Sequence, residues 1–263
     1  MFDCAGFGKK SVAAILLLVA AGDNVAQALA APVAEDAGRI GIVSLLEPEV
    51  TNVHLGLTVF GNYNNRLSND WHLDGFAYAS AKALLEKANW TVADVKLDDR
   101  QLEAIRSDDD QTDLNYSGLT RDWVAKYRQI IAANHIAALV ILRDRHQNAG
   151  QNGVLPYRGY GVMSPMGRKP DLSFVFTTSY ADVIAGDPPR RAIKPCSVKD
   201  SDPFDPRFDT SQVHVDNLAD IKIGDISFLK PRFEKLIERS VHSSLASSGV
   251  LGEQTYCSIT QKR

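Results

Sequence analysis

Short apolar segments alternate with amphipathic helical segments through the first half of this chain, and this alternation constrains its fold more than any other feature. Segments 39–46, 90–97 and 136–142 have the length and the branched side chains of buried strands. Apolar stripes at helical spacing predict one helix from about Asp70 to Ala88 and another from about Leu119 to Asn134. This order predicts βαβ crossovers and a partly parallel sheet, with the very apolar segment 136–142 near its centre.

The remaining segments predict antiparallel additions to that core. Segment 53–60 alternates apolar and polar residues, and we expect it to pair with 39–46 across a hairpin-like turn, followed by a loop at 61–69. Strands are also predicted at 154–163 and 172–184. In the latter, Leu172, Phe174, Phe176 and Tyr180 should form a buried face, and Ser173, Thr177 and Ser179 a face in contact with water.

A last helix is predicted at about 227–248, after a long segment rich in proline and aspartate at about 186–224 that is expected to be a loop. These elements together predict the α/β class, with α+β as the alternative. The expected architecture is one mixed sheet with packed helices: a βαβ core, then antiparallel strands and a C-terminal helix. Residues 31–263 are expected to form one domain of this kind.

The first 30 residues have the pattern of a secretory signal peptide. Lys9 and Lys10 precede an apolar run at 12–21, and Ala28-Leu29-Ala30 is an A-x-A cleavage site. The run is shorter than the roughly 20 residues that span a bilayer as a helix. We therefore expect cleavage after Ala30 and a periplasmic or secreted protein without a transmembrane segment in its mature chain.

The cysteine content and the net charge bear on two further expectations, a disulfide bond and the class of partner. Cys196 and Cys257 are the two cysteines that remain after the predicted cleavage, and in an oxidising compartment such a pair favours a disulfide over two free thiols. The formal net charge of −3 gives no electrostatic reason to expect a nucleic acid as partner.

No catalytic residue, metal ligand or cofactor is predicted from a motif, because the chain lacks the usual nucleophile, phosphate-binding and zinc patterns. A positional argument nevertheless selects candidates, since ligands of open α/β sheets bind beyond the carboxyl ends of parallel strands. The polar residues at those predicted ends are Glu47, Asp98, Asp144 and His146. Together they could bind a ligand or a divalent metal, or act as acid and base. The alternative is that these polar residues simply mark where strands leave the core.

From Ile40 onward the chain resembles a group of exported proteobacterial proteins that open with a strand of the IGIVSLL kind. Gly159-Tyr160-Gly161-Val162 and the strand ending at 181–186 also fit that group. More distantly, the order of elements is similar to the α/β domain of envelope proteins such as the amino-terminal domain of TolB and the secretion protein CsgG. That domain ends a late strand in a D-x-x-T-G turn, whereas residues 182–186 here lack the threonine. The resemblance implies helices packed on a mixed sheet and a role among envelope proteins.

The sequence thus favours an exported, non-catalytic envelope-associated or binding protein, with other envelope proteins as possible partners. The alternative is a secreted or periplasmic hydrolase, with or without a metal, that uses Asp144, His146 and a carboxylate from Glu47 or Asp98.

Overall fold

The computed structural model describes residues 38–56, 59–108, 121–149, 155–164, 172–192, 208–214 and 221–252. The predicted signal peptide and both cysteines of the predicted disulfide, Cys196 and Cys257, lie outside these ranges.

Twelve strands and four α-helices lie in the described ranges, in the order β1 Arg39–Ser44, β2 Val50–His54, β3 Tyr63–Leu67, α1 Leu73–Lys87, β4 Thr91–Asp94, α2 Asp99–Arg106, α3 Arg121–Ala133, β5 Ala138–Asp144, β6 Gln147–Ala149, β7 Leu155–Tyr157, β8 Tyr160–Ser164, β9 Leu172–Thr177, β10 Ser179–Ala185, β11 Arg190–Arg191, β12 Phe208–His214 and α4 Lys230–Ser247. Short 3-10 helices cover Val59–Gly61 and Ile223–Leu229. This alternation confirms the predicted α/β class.

The first five-stranded sheet has the order β11-β10-β5-β1-β4. Strands β4, β1 and β5 run parallel, as expected for βαβ crossovers, and β10 and β11 add to them antiparallel. Strand β5 lies in the middle, as its apolar sequence predicts, and all seven of its residues are buried.

Helices cover both faces of this sheet, and the core therefore has two layers. On one face, α1 buries Leu73 and Leu85, and α4 buries Phe233 and Val241, against the apolar residues of the sheet. On the other face, Ile105 of α2 and the aromatic side of α3 pack against β5 and its neighbours. The predicted helix bounds are within about three residues of α1, α3 and α4.

The second five-stranded sheet has the order β12-β9-β8-β2-β3, in contrast to the single sheet that the sequence predicts. Two chain paths continue from one sheet into the other: residues 45–49 connect β1 to β2, and Thr178 alone connects β9 to β10. The expected hairpin between the first two strands is wrong, because β1 pairs with β4 and β5 whereas β2 pairs with β3 and β8.

Both edges of the second sheet come from segments predicted as loops. Strand β3 lies in the segment 61–69 and pairs antiparallel with β2. Strand β12 lies in the predicted loop at 186–224 and pairs antiparallel with β9. Neither segment shows a clear apolar alternation. In β3 the three middle residues are exposed on both faces, so no buried face requires apolar residues there.

The predicted water-exposed face of the strands at 172–184 is also wrong, since Ser173, Thr177 and Ser179 are all buried. Helix α4 packs over this side of β9 and β10, and Ser240 Oγ donates a hydrogen bond of 2.5 Å to the backbone oxygen of Ser179. The small hydroxyl side chains let the helix approach the sheet, and the hydroxyls of Thr177 and Ser179 bond to each other at 2.5 Å. None of the helices in the described ranges has the length and apolar character needed to cross a membrane.

Candidate functional site

A cavity of about 360 Å³ lies between the second sheet and the β6–β7 hairpin. Strands β2 and β3 form one wall, and the hairpin with its flanking residues forms the other. Its lining residues are Thr51, Asn64, Arg66, His146, Pro156, Tyr157 and Arg158. The volume falls at the small end of the range for small-molecule sites in proteins.

Three contacts hold the hairpin beside the sheet. The Asn64 side chain donates a hydrogen bond of 2.7 Å to the backbone oxygen of Pro156, and Thr51 Oγ1 donates one of 3.2 Å to that of Arg158. The ring of Tyr157 meets that of Phe176 edge to face, with centroids 5.0 Å apart. Because both walls are tied together by these contacts, the cavity is preformed.

Glu47 holds the two arginines of the cavity by one carboxylate oxygen each. Arg66 Nη1 lies 2.5 Å from Glu47 Oε2, and Arg158 Nη2 donates to Glu47 Oε1. Arg66 also lies 3.5 Å from Glu49. Neither glutamate lines the cavity, whereas both arginines do. The two arginines therefore line the cavity, while the carboxylates that pair with them lie outside its lining.

Tyr160 fixes the backbone at Glu47. Its hydroxyl donates a hydrogen bond to the backbone oxygen of Glu47, and its side chain is fully buried. Burial raises the pKa of the Tyr160 phenol far above its ordinary value, and the carboxylates of Asp144 and Asp74 raise it further. The phenol is therefore protonated at neutral pH and keeps its role as a donor.

Glycines allow the strands of the site to approach closely. A Cβ on Gly161 would stand 2.0 Å from the backbone oxygen of Thr51, a distance at which no side chain fits. Gly159 has a φ of +85°, a conformation that glycine adopts without strain. Its neighbour Arg158 is placed at the cavity by this turn between β7 and β8.

Of the four residues selected from the sequence, His146 lines the cavity. Glu47 lies outside the lining and contacts two of its residues, Arg66 and Arg158. Asp144 is buried behind the wall, where its Oδ2 lies 3.8 Å from the position of a Cβ on Gly159. The strand alternation sends the preceding Arg143 to the opposite face, with Nη2 3.9 Å from the Asp182 carboxylate.

Asp98 has a different role. Its side chain accepts a hydrogen bond of 2.7 Å from the backbone nitrogen of Gln101, and the Gln101 side chain in turn accepts one from the backbone nitrogen of Asp98. This reciprocal pair is a capping box at the start of α2. Asp98 is not among the residues that line the cavity.

The polar groups that line the cavity are mainly hydrogen-bond donors. Both carboxylate oxygens of Glu47 are engaged by guanidinium groups. Within the described ranges, no group of three or more His, Cys, Asp or Glu side chains is placed to hold a metal ion. The cavity offers hydrogen-bond donors from Arg66 and Arg158, with Thr51 and Asn64 as smaller polar groups.

Sequence reasoning missed the two arginines. Arg66 lies on the polar edge strand β3, and Arg158 lies between β7 and β8, so neither follows a strand of the parallel core. A cluster of polar and turn-forming residues around each one was the only available signal, and such clusters mark ordinary surface loops as well.

The fold and this geometry define an α/β protein with a preformed cavity that is lined by two arginines. No family model, no curated protein and no solved structure matches the chain. The likeness to the TolB and CsgG domains therefore stays an expectation from sequence.

Proposed function

We propose that this protein is an exported, non-catalytic binding protein of the cell envelope that holds a small polar molecule in the cavity beside the β6–β7 hairpin. The observation that carries the proposal is the pair Arg66 and Arg158, both held by Glu47 and both facing a preformed cavity. Charged donors that are already oriented bind a polar molecule without the entropic cost of ordering them.

The position of the cavity supports the same function. Glu47 follows β1 and His146 follows β5, and the carboxyl ends of parallel strands are the usual location of ligands in α/β sheets. A binding role also suits the predicted export signal, since proteins outside the cytoplasm commonly act on or carry molecules from the surroundings. Export and the envelope location are part of the proposal and rest on the sequence pattern at residues 1–30.

The hydrolase alternative requires free acid and base groups, and a capture experiment separates it from binding. The purified protein is incubated with a small-molecule extract of the periplasm, washed and denatured, and the released molecules are compared with the input by mass spectrometry. Release of an unaltered input molecule supports binding. A product absent from the input, lost in Asp144→Ala and His146→Ala, would contradict a non-catalytic role.

Export is tested separately by cell fractionation and intact-mass measurement. We expect the protein in the periplasmic or secreted fraction, with a mass that corresponds to cleavage after Ala30. Full-length protein confined to the cytoplasm would overturn the envelope part of the proposal and leave the cavity's binding role standing.

A further inference from the structure

We infer that the molecule held in the cavity carries a carboxylate, which binds between the guanidinium groups of Arg66 and Arg158. This inference rests on the proposed binding function and adds the chemical class of the ligand. It follows from three features of the site: the bridging of the two arginines by one carboxylate, the balance of donors and acceptors on the wall, and the placement of the neighbouring acidic groups.

A carboxylate can bridge the two arginines, because the Glu47 carboxylate already does so. Arg158 donates to one oxygen of Glu47, and Arg66 lies 2.5 Å from the other. A guanidinium group has five N–H donors in a fixed fork. Each arginine therefore retains donors after its bond to Glu47, and a second carboxylate on the cavity side can be bridged in the same way.

The wall of the cavity is rich in donors. The two arginines are cationic donors, and His146 adds imidazole nitrogens. Thr51 and Asn64 each use one donor on a backbone oxygen of the hairpin. The Thr51 hydroxyl oxygen and the Asn64 amide oxygen remain as acceptors, and the Asn64 amide keeps a second N–H donor. A ligand with a carboxylate can accept hydrogen bonds from the arginines. A hydroxyl or amide on the same ligand can bond with the polar groups of Thr51 and Asn64.

The charges are arranged so that the acidic partners of the two arginines stand outside the cavity. The carboxylates of Glu47 and Glu49 neutralise the arginines from outside and keep the site formally balanced when it is empty. The side of the guanidinium groups that faces the cavity has no acidic residue among its lining neighbours. A ligand carboxylate therefore meets guanidinium donors first. Because the Arg66 and Arg158 side chains are 50% and 37% exposed, their charge-assisted hydrogen bonds orient the ligand and add modestly to its affinity.

The test compares small probes of equal shape and different charge by isothermal titration with the purified protein. Succinate and its uncharged analogue succinamide form the main pair, and inorganic phosphate and sulfate test whether any oxyanion suffices. We expect succinate to bind about tenfold or more tightly than succinamide, the size of effect that charge-assisted hydrogen bonds produce. Phosphate and sulfate, which lack the planar shape, should bind more weakly than succinate.

Variants place the binding at the cavity. Arg66→Gln and Arg158→Gln should each weaken succinate binding about tenfold. Arg128→Gln is the matched control, since Arg128 is a similarly exposed arginine with one carboxylate partner, Asp187, away from the cavity wall. This control should bind succinate as the wild type does.

Three outcomes would overturn the inference: equal binding of succinamide and succinate, phosphate or sulfate binding as tightly as succinate, or unchanged succinate binding in both arginine variants. A fourth outcome combines two results: succinate shows no saturable binding, and the capture experiment releases only molecules without a carboxylate. This combination would also overturn the inference. In each of these cases the proposed function stands if the cavity still retains a molecule from the extract. If nothing is retained, the proposed function itself fails.

Discussion

Arg158 donates a hydrogen bond to the carboxylate of Glu47, which lies 111 residues earlier in the chain. The contact links residues 45–49, which connect β1 to β2, with the turn between β7 and β8. Through the same carboxylate, Arg66 of the edge strand joins this connection. One glutamate thus brings together three segments that are distant in sequence, and the cavity lies where they meet.

Glu47→Gln should weaken binding at the cavity more than it weakens the fold. The neutral side chain can accept a hydrogen bond from one arginine but no longer holds two, so Arg66 and Arg158 lose their fixed positions. Both ion pairs are more than a third exposed, and we expect a loss of only about 1 kcal/mol in the free energy of unfolding. Urea unfolding and succinate titration measure the two effects.

Glu103→Gln serves as the control for that variant. Glu103 is a more exposed glutamate that meets Arg106 at 4.0 Å on the surface of α2. Its replacement should leave succinate binding unchanged. Equal succinate affinity in Glu47→Gln and the wild type would contradict the positioning role of Glu47.

Asp98→Ala should lower stability without affecting the cavity. The substitution removes the side-chain cap at the start of α2, and such losses typically cost about 1 kcal/mol. Thermal or urea unfolding would show this loss, while succinate titration should match the wild type. A selective loss of succinate binding with unchanged stability would contradict this role and indicate that Asp98 contributes to the binding site.

Gly161→Ala should be strongly destabilising. The added Cβ would stand 2.0 Å from the backbone oxygen of Thr51 and 2.8 Å from the Phe176 ring. The backbone atom cannot move aside without separating β8 from β2, so we expect a cost of about 3 kcal/mol or more, at or beyond the upper end for overpacked sites. Gly224→Ala is the comparison, because nothing lies within 4 Å of its Cβ position. Similar unfolding midpoints for the two variants would contradict this packing.

Stability should fall on mild acidification, in part because of His54. Partial burial lowers the pKa of His54 below its ordinary value of 6.5 in the folded protein. The unfolded chain therefore takes up a proton first as the pH falls below about 6.5, and the folded state loses stability there. Above that pH the contribution is constant.

His54→Phe tests this dependence. Phenylalanine keeps an aromatic ring beside Tyr63, which stacks on His54 with centroids 5.0 Å apart, and it cannot bind a proton. Urea unfolding at about pH 7.5 and about pH 5 should show a smaller loss of stability in the variant than in the wild type. Parallel losses in the two proteins would show that His54 does not contribute.

The parallel core was predictable because its segments carry a strong periodic signal. Segment 136–142 is almost entirely apolar, and it forms the central strand β5. The stripe of α1 and the apolar faces of α3 and α4 likewise follow from helical spacing. Helix α2 escaped notice because it buries only Ile105 and lies in a polar segment.

The sequence predicted less well which strands pair with each other and which faces of the strands are buried by helices. Strands β1 and β2 are neighbours in sequence but belong to different sheets, and no local pattern distinguishes this from a hairpin. Ser173, Thr177 and Ser179 look like a water-exposed face, yet α4, more than 50 residues later in the chain, covers them. Long-range packing of this kind leaves no mark on a short window of sequence.

The candidate cavity coincides only in part with the residues selected from the sequence. The rule for strand ends selected His146, which lines the cavity, and Glu47, which contacts two of the lining arginines. It also selected Asp98, which caps a helix, because every parallel strand has a polar end whether or not a site lies there. The arginines came from an edge strand and a turn, to which the rule does not apply.

Native mass spectrometry of the protein purified from its own periplasm tests whether Arg66 and Arg158 hold a small molecule. The double variant Arg66→Gln/Arg158→Gln, prepared in the same way, is the comparison. We predict a wild-type mass above that of the bare chain by one small carboxylate-bearing molecule, and a variant without this addition. A wild-type protein at the mass of the bare chain, or the same addition in both proteins, would contradict binding at these two arginines.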